Sequence, residues 1–167
     1  MQDVNVVVVF YSRFGSTERL ALAAAVGAVQ GRANIRLRRL ADAADEASIE
    51  SVPLWKENRD RMNMEYVAPR ESDAAWADAI MVGMPSGADA LSVEFERWFA
   101  SLGKLERKIG ASFTQGSSDV LLHDALSRAG FLTLPAASEA DALEAARLQG
   151  RRVAEAARSL RASGAAG

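Results

Sequence analysis

The sequence predicts a doubly wound α/β fold, a three-layer α/β/α sandwich around a parallel sheet of five strands. Short apolar runs alternate along the chain with stretches of helical periodicity, and this alternation is typical of β-α-β units with right-handed crossovers. The first run, VNVVVVFY, is rich in β-branched residues that favour a buried strand. The predicted strands are residues 4–11, 33–40, 78–84, 108–114 and 131–135.

The five runs differ in the burial that they predict. Residues 4–11 and 78–84 are apolar almost throughout, as strands covered on both faces are. In residues 33–40, Ile35 and Leu37 alternate with arginines, which is the pattern of an edge strand with one face in solvent. These features favour the strand order 2-1-3-4-5, in which ligands bind beyond the carboxyl ends of the strands, where the order reverses.

Helical periodicity between the strands predicts the crossover helices. Residues 17–30 carry a stripe of small and apolar side chains, and residues 89–102 place large apolar side chains at helical spacing. Asp89 is the predicted N-cap of the second of these helices. The last helix is predicted over residues 139–162.

One long connection, residues 41–70, shows no clear period. Such connections in compact domains are usually functional or disordered, and we expect its acidic part, residues 42–50, to be solvated. Its scattered apolar side chains, Trp55 and Met62 among them, make it a candidate for a lid or an intersubunit interface.

Composition limits the class of function. The formal charge of -2 offers no basic field for nucleic acid or an anionic membrane, and no apolar run approaches the roughly 20 residues that span a bilayer. The chain has no cysteine and one histidine, His123, which excludes thiolate catalysis and a multi-histidine metal site. No Ser-His-Asp triad can be argued, because no GxSxG nucleophile accompanies the single histidine, and His123 is assigned no catalytic role. We expect a cytoplasmic protein with one domain, residues 1–162, and a frayed tail, residues 163–167.

Polar loops follow the first, third and fourth strands and form the candidate site. The first loop, SRFGST, offers hydroxyls, a tight turn and the unpaired N–H groups of a helix start, which together bind phosphate. It lacks the GxGxxG and GK[ST] patterns, which favours a monophosphate, although a plain helix cap would look the same. The candidates are Ser12, Arg13, Phe14, Gly15, Ser16 and Thr17 in the first loop, Pro85, Ser86, Gly87 and Ala88 in the second, and Thr114, Gln115, Gly116 and Ser117 in the third.

Three segments, in order, resemble the WrbA-like flavodoxin-fold NAD(P)H:quinone oxidoreductases. FYSRFGSTERLA is similar to the phosphate loop of that family, WADAIMVGMPS to its third strand and following loop, and LEAARLQGRRVAE to its last helix. The resemblance implies a flavodoxin-like fold, noncovalent FMN, reduction by NAD(P)H, hydride transfer to a quinone, and a homodimer or homotetramer. It implies that the first loop holds the FMN phosphate, the second borders the flavin ring, and the third faces the ring edge and ribityl chain. No acid–base side chain is required, so no catalytic residue is assigned.

The chain departs from this family around the flavin ring. Gly87, Ala88 and Asp89 stand where an arginine, an aromatic residue and a glycine are usual, and the third loop is shorter. Two alternatives follow. One is a one-electron carrier of the flavodoxin kind, against which the modest net charge weighs. The other is a flavin-free scaffold for protein contacts, which the altered ring loops motivate.

Overall fold

The computed structural model describes residues 3–103 and 105–165. Five parallel strands form one sheet in the order β2-β1-β3-β4-β5, as predicted. The strands are β1 (Val4–Phe10), β2 (Ala33–Arg39), β3 (Ala79–Gly83), β4 (Ile109–Ser112) and β5 (Leu132–Thr133). The helices are α1 (Ser16–Gln30), α2 (Glu46–Glu50), α3 (Pro53–Glu65), α4 (Glu71–Trp76), α5 (Val93–Ser101), α6 (Ser117–Arg128) and α7 (Ala142–Ala165).

Both faces of the sheet are covered, so the predicted sandwich is confirmed. Along β1 successive side chains point to opposite faces: Val6 and Val8 pack with buried alanines of α1 and α7, whereas Val7 and Val9 pack with α5 and α6. All four valines are buried, which explains why this strand reads as a continuous apolar run. No described helix combines the length and the hydropathy that crossing a bilayer requires.

Helices α1 and α7 approach each other closely at two glycines. A Cβ atom on Gly150 would lie 2.0 Å from the backbone oxygen of Ala24, and one on Gly27 would lie 1.8 Å from that of Arg147. Real Cβ atoms do not come so near to a backbone oxygen, and therefore only glycine permits this contact. The contact fixes α1, and with it the first loop, against the rest of the domain.

Strand β2 lies at the sheet edge as predicted, but its arginine face is partly covered by α4. Arg36 and Arg38 form salt bridges of 3.1 and 2.9 Å with Asp73 of α4, a residue that is 3% exposed. The Arg36 guanidinium also lies 4.1 Å from the centre of the Trp76 ring. Alternation in the sequence detects the polar face but not the short helix that covers it.

Two helix boundaries differ from the prediction. Helix α5 is capped by Ser92, whose hydroxyl accepts the N–H of Phe95 at 3.3 Å, and Asp89 precedes it in a bend. Helix α7 begins after Asp141 and continues beyond its predicted end. Residues 166–167 of the expected frayed tail lie outside the described residues.

The connection over residues 41–70 forms two helices, α2 and α3, so the absence of a regular period was misleading. Ile49, Trp55 and Met62 are buried at 2%, 6% and 0% exposure. Since the α3 side chains that reach the core are seven positions apart, the remaining charged residues mask the helical pattern. Trp55 and Met62 pack within their own chain, so the interface hypothesis is wrong for these two side chains, while the lid hypothesis for the connection stays a prediction.

Candidate functional site

The first and second loops meet around one cavity of about 800 Å³ at the carboxyl ends of β1 and β3. Arg13, Phe14 and Ser16 of the first loop and Pro85 and Ala88 of the second line it. Its remaining wall comes from the ends of β1 and β3, the segment after β2 and the start of α5: Tyr11, Met84, Ala43, Ala44, Leu91, Ser92, Val93, Glu94 and Arg97. The cavity thus lies at the predicted reversal of strand order.

The first loop is shaped by a left-handed glycine and a buried serine. Gly15, the N-cap of α1, has φ 102° and ψ -6°, a conformation that strains other residues. Its N–H donates to the Ser12 hydroxyl at 3.0 Å. Ser12 and Thr17 are buried, so Ser16 supplies the exposed hydroxyl of the loop. The N–H groups of the first turn of α1 have no acceptor within the helix and carry partial positive charge.

A buried ion pair stabilises the first loop. Arg39 and Asp42 are joined at 2.9 Å, with side-chain exposures of 2% and 3%. The same Arg39 nitrogen donates to the Ser12 carbonyl oxygen at 2.9 Å. Asp42 also accepts the Tyr11 hydroxyl at 2.8 Å and the Trp55 indole N–H at 2.9 Å. The network therefore ties the end of β2 and helix α3 to the first loop.

Protonation states in this network follow from burial and partners. Burial acts to raise the pKa of Asp42, but the hydrogen bonds from Arg39 and Trp55 outweigh it and hold that pKa below its ordinary value. Burial raises the pKa of the Tyr11 phenol, which stays a hydrogen-bond donor at neutral pH. Arg39 Nε is a buried atom without a hydrogen-bond partner among the described residues.

The third loop contacts the second loop rather than lining the cavity. Ser118, in the first turn of α6, donates to the Pro85 carbonyl at 2.6 Å and accepts the Ala88 N–H at 3.4 Å. Thr114 is buried, and its hydroxyl lies 3.0 Å from that of Ser112. The exposed members of this loop are Gln115, Gly116 and Ser117. Of the three predicted loops, the structure joins the first two around the cavity and places the third beside them.

Sequence reasoning missed the residues that support the loops. The solvated interpretation of residues 42–50 is wrong for Asp42, and Arg39 was assigned no role. Glu94 is also buried, and its carboxylate accepts the Ala43 N–H at 2.8 Å, which fixes the cavity wall. Position in the fold was the signal that could have found them. Arg39 ends β2 and Asp42 follows it, and Glu94 lies in the first turn of α5, which borders the site.

Comparison with solved structures identifies the fold. A flavodoxin from the domain Archaea superposes with a TM-score of 0.65 at 17% identity over 92% of this chain and 99% of its own. The fold is that of the flavodoxins. A diflavin flavoprotein A3 from Nostoc sp. gives a TM-score of 0.61 at 16% identity over 98% of this chain and 99% of its own.

Sequence comparison finds similarity to an oxidoreductase. The chain is 29% identical over 116 residues to an NAD(P)H dehydrogenase (quinone) of Archaeoglobus fulgidus, covering 66% of this chain. The matched part spans 60% of that relative's length. This similarity confirms the resemblance to quinone-linked oxidoreductases that the three sequence segments indicated. No family model matches the chain.

Proposed function

We propose that the protein binds FMN between the first and second loops and catalyses reduction of a quinone by NAD(P)H. The observation that carries the proposal is the continuity of the site. The exposed start of α1, with its free N–H groups and Ser16, opens directly onto the cavity of about 800 Å³. A phosphate-binding turn and a ring-sized apolar space are thus parts of one site.

The residues present fit FMN at both ends. At the phosphate end, Gly15 and the first turn of α1 offer backbone donors, and Ser16 offers a hydroxyl. Phe14 of the first loop is half exposed on the cavity wall, and Met84 and Leu91 add apolar surface for the flavin ring. The volume falls within the roughly 300–1,000 Å³ usual for cofactor sites.

In this proposal the residues of the chain bind and orient FMN. Bound FMN supplies hydride transfer, so no protein acid or base is needed. Ser12 and Arg39 fix the first loop, and Ser118 fixes the second. Thr114, Gln115, Gly116 and Ser117 remain predicted contacts for the ring edge and ribityl chain.

Subunit assembly and location are further parts of the proposal. By its resemblance to the oxidoreductases, we expect a cytoplasmic homodimer or homotetramer. Leu54 and Met64 belong to the same predicted interface segment, and on α3 they are 57% and 90% exposed, so they remain the candidate interface side chains. Sedimentation of the purified protein tests this assembly.

The test of function is optical. We expect the purified protein to bind FMN, to lose its yellow colour when NADH or NADPH is added without oxygen, and to regain it when a quinone follows. Protein that takes up no FMN at any concentration contradicts the proposal and favours a flavin-free scaffold.

The flavodoxin neighbours make an electron carrier the second candidate. A carrier would bind FMN but resist reduction by NAD(P)H alone. Its two one-electron potentials would be widely separated, whereas a two-electron reductase needs no such separation. Potentiometric titration of the FMN-loaded protein distinguishes the two.

Replacing Phe14 by alanine is expected to weaken FMN binding. One aromatic contact contributes on the order of 1 kcal/mol, so the dissociation constant should rise about fivefold. The melting temperature should not change, because Phe14 is 50% exposed. Fluorescence titration with FMN measures the effect. Leu22→Ala is the matched control, since Leu22 is 43% exposed on α1 and does not line the cavity; equal weakening in both variants contradicts the assignment.

A further inference from the structure

An acidic side chain lies beside the first loop, where an anion is proposed to bind. Glu18 belongs to the first turn of α1, and its side chain is 7% exposed. One carboxylate oxygen lies 3.4 Å from the position that a Cβ atom on Gly15 would occupy. The carboxylate therefore shares the helix N-terminus with any phosphate held by the loop.

An arginine from another helix pairs with this carboxylate. Arg61 of α3 donates to both Glu18 oxygens, at 2.7 and 3.0 Å. The Tyr66 hydroxyl donates to one of them as well. The hydrogen bonds from Arg61 are the chief reason that the pKa of Glu18 lies below its ordinary value, so the carboxylate is ionised at neutral pH.

Arg61 is placed to act on the loop as well as on Glu18. Its Nη2 atom lies 3.7 Å from the same Cβ position on Gly15. It also contacts Glu65 at 2.9 Å, but Glu65 is half exposed and screened by solvent. Glu18 is the buried partner, and an uncompensated negative charge there would act on a nearby phosphate with little screening.

We infer that Arg61 is a positioning residue that neutralises Glu18 and thereby allows the first loop to accept a doubly negative phosphate. The inference rests on the proposed function, since FMN is the phosphate ligand concerned. Helix α3 would thus control the charge beside the first loop, although its segment showed no periodicity in the sequence.

A double-mutant cycle tests the inference through FMN dissociation constants, measured by flavin fluorescence. Arg61→Gln should weaken binding about tenfold, because it removes the ion-pair partner of the Glu18 carboxylate and leaves the Tyr66 hydrogen bond and the more distant Arg39 charge. Glu18→Gln in the same chain should restore binding to within about threefold of the unaltered protein.

Arg59→Gln is the matched control, since Arg59 lies on the same helix and pairs with Glu46 and Asp60, which do not contact the first loop. It should leave FMN binding unchanged. Equal weakening in the Arg61→Gln single variant and in the double variant would overturn the inference.

Two further results separate the possible failures. Should Arg61→Gln not fold, Glu18→Gln alone decides: it leaves the Arg61 charge beside the loop and should tighten FMN binding, and unchanged or weaker binding overturns the inference. Unaltered protein that binds no FMN overturns the proposed function itself.

Discussion

Replacement of Asp42 by alanine is expected to destabilise the protein by roughly 3–5 kcal/mol. The substitution leaves the Arg39 guanidinium buried without its counter-charge. It also removes the acceptor of the Tyr11 hydroxyl and the Trp55 indole. Since Arg39 holds the Ser12 carbonyl, the first loop should loosen and FMN binding should weaken together with stability.

Urea denaturation of three variants measures the Asp42 effect. The double variant Arg39→Met/Asp42→Leu removes both charges and should recover the part of the lost stability that comes from the uncompensated Arg39 charge, while Tyr11 and Trp55 remain without their acceptor. Asp60→Ala is the surface control: Asp60 is about half exposed, so its ion pairs are screened by solvent and its loss should change stability far less than the loss of Asp42. A double variant less stable than Asp42→Ala would contradict the argument from uncompensated charge.

The penalty for losing Asp42 should depend on pH. The pKa of Asp42 is lowered from 3.8, so the native chain binds fewer protons than the unfolded chain and stability rises with pH. The contribution is fully present above about pH 5 and is lost as the pH falls through the lowered pKa. The difference between the unaltered protein and Asp42→Ala, measured by urea denaturation, should therefore shrink in acid.

The backbone arrangement was predictable because it depends on local patterns. The β-branched run of β1 can satisfy its burial only as a central strand, and alternation with helical segments leaves few topologies open. The edge position of β2 followed from the alternation of Ile35 and Leu37 with arginines. None of these inferences requires knowing which distant side chains meet.

The supporting contacts of the site were not predictable because they join distant parts of the chain. Tyr11 and Asp42 are 31 positions apart, and Arg61 and Glu18 are 43 positions apart. An acidic residue in a charged segment looks the same in sequence whether it is solvated or buried against an arginine. The loops could be predicted because topology places binding loops at strand ends. The residues that support the loops could not, because their contacts depend on tertiary packing.

Replacement of Gly150 by valine is expected to destabilise the protein by about 3 kcal/mol, which corresponds to a fall of roughly 6–12 °C in melting temperature. The new Cβ would lie 2.0 Å from the Ala24 carbonyl oxygen, a backbone atom that cannot move alone. Helices α1 and α7 must therefore separate. Because α1 begins at the first loop, FMN affinity should fall as well.

Thermal denaturation with two companion variants isolates this steric effect at Gly150. Ser159→Val places the same side chain on an exposed position of α7 and should change stability by less than about 0.5 kcal/mol. Gly150→Ala is the sharper comparison, because alanine favours a helix by about 1 kcal/mol over glycine. If the two helices are as close as the structure shows, the clash exceeds that gain and the melting temperature falls; a rise would contradict the close approach that fixes α1 and its loop.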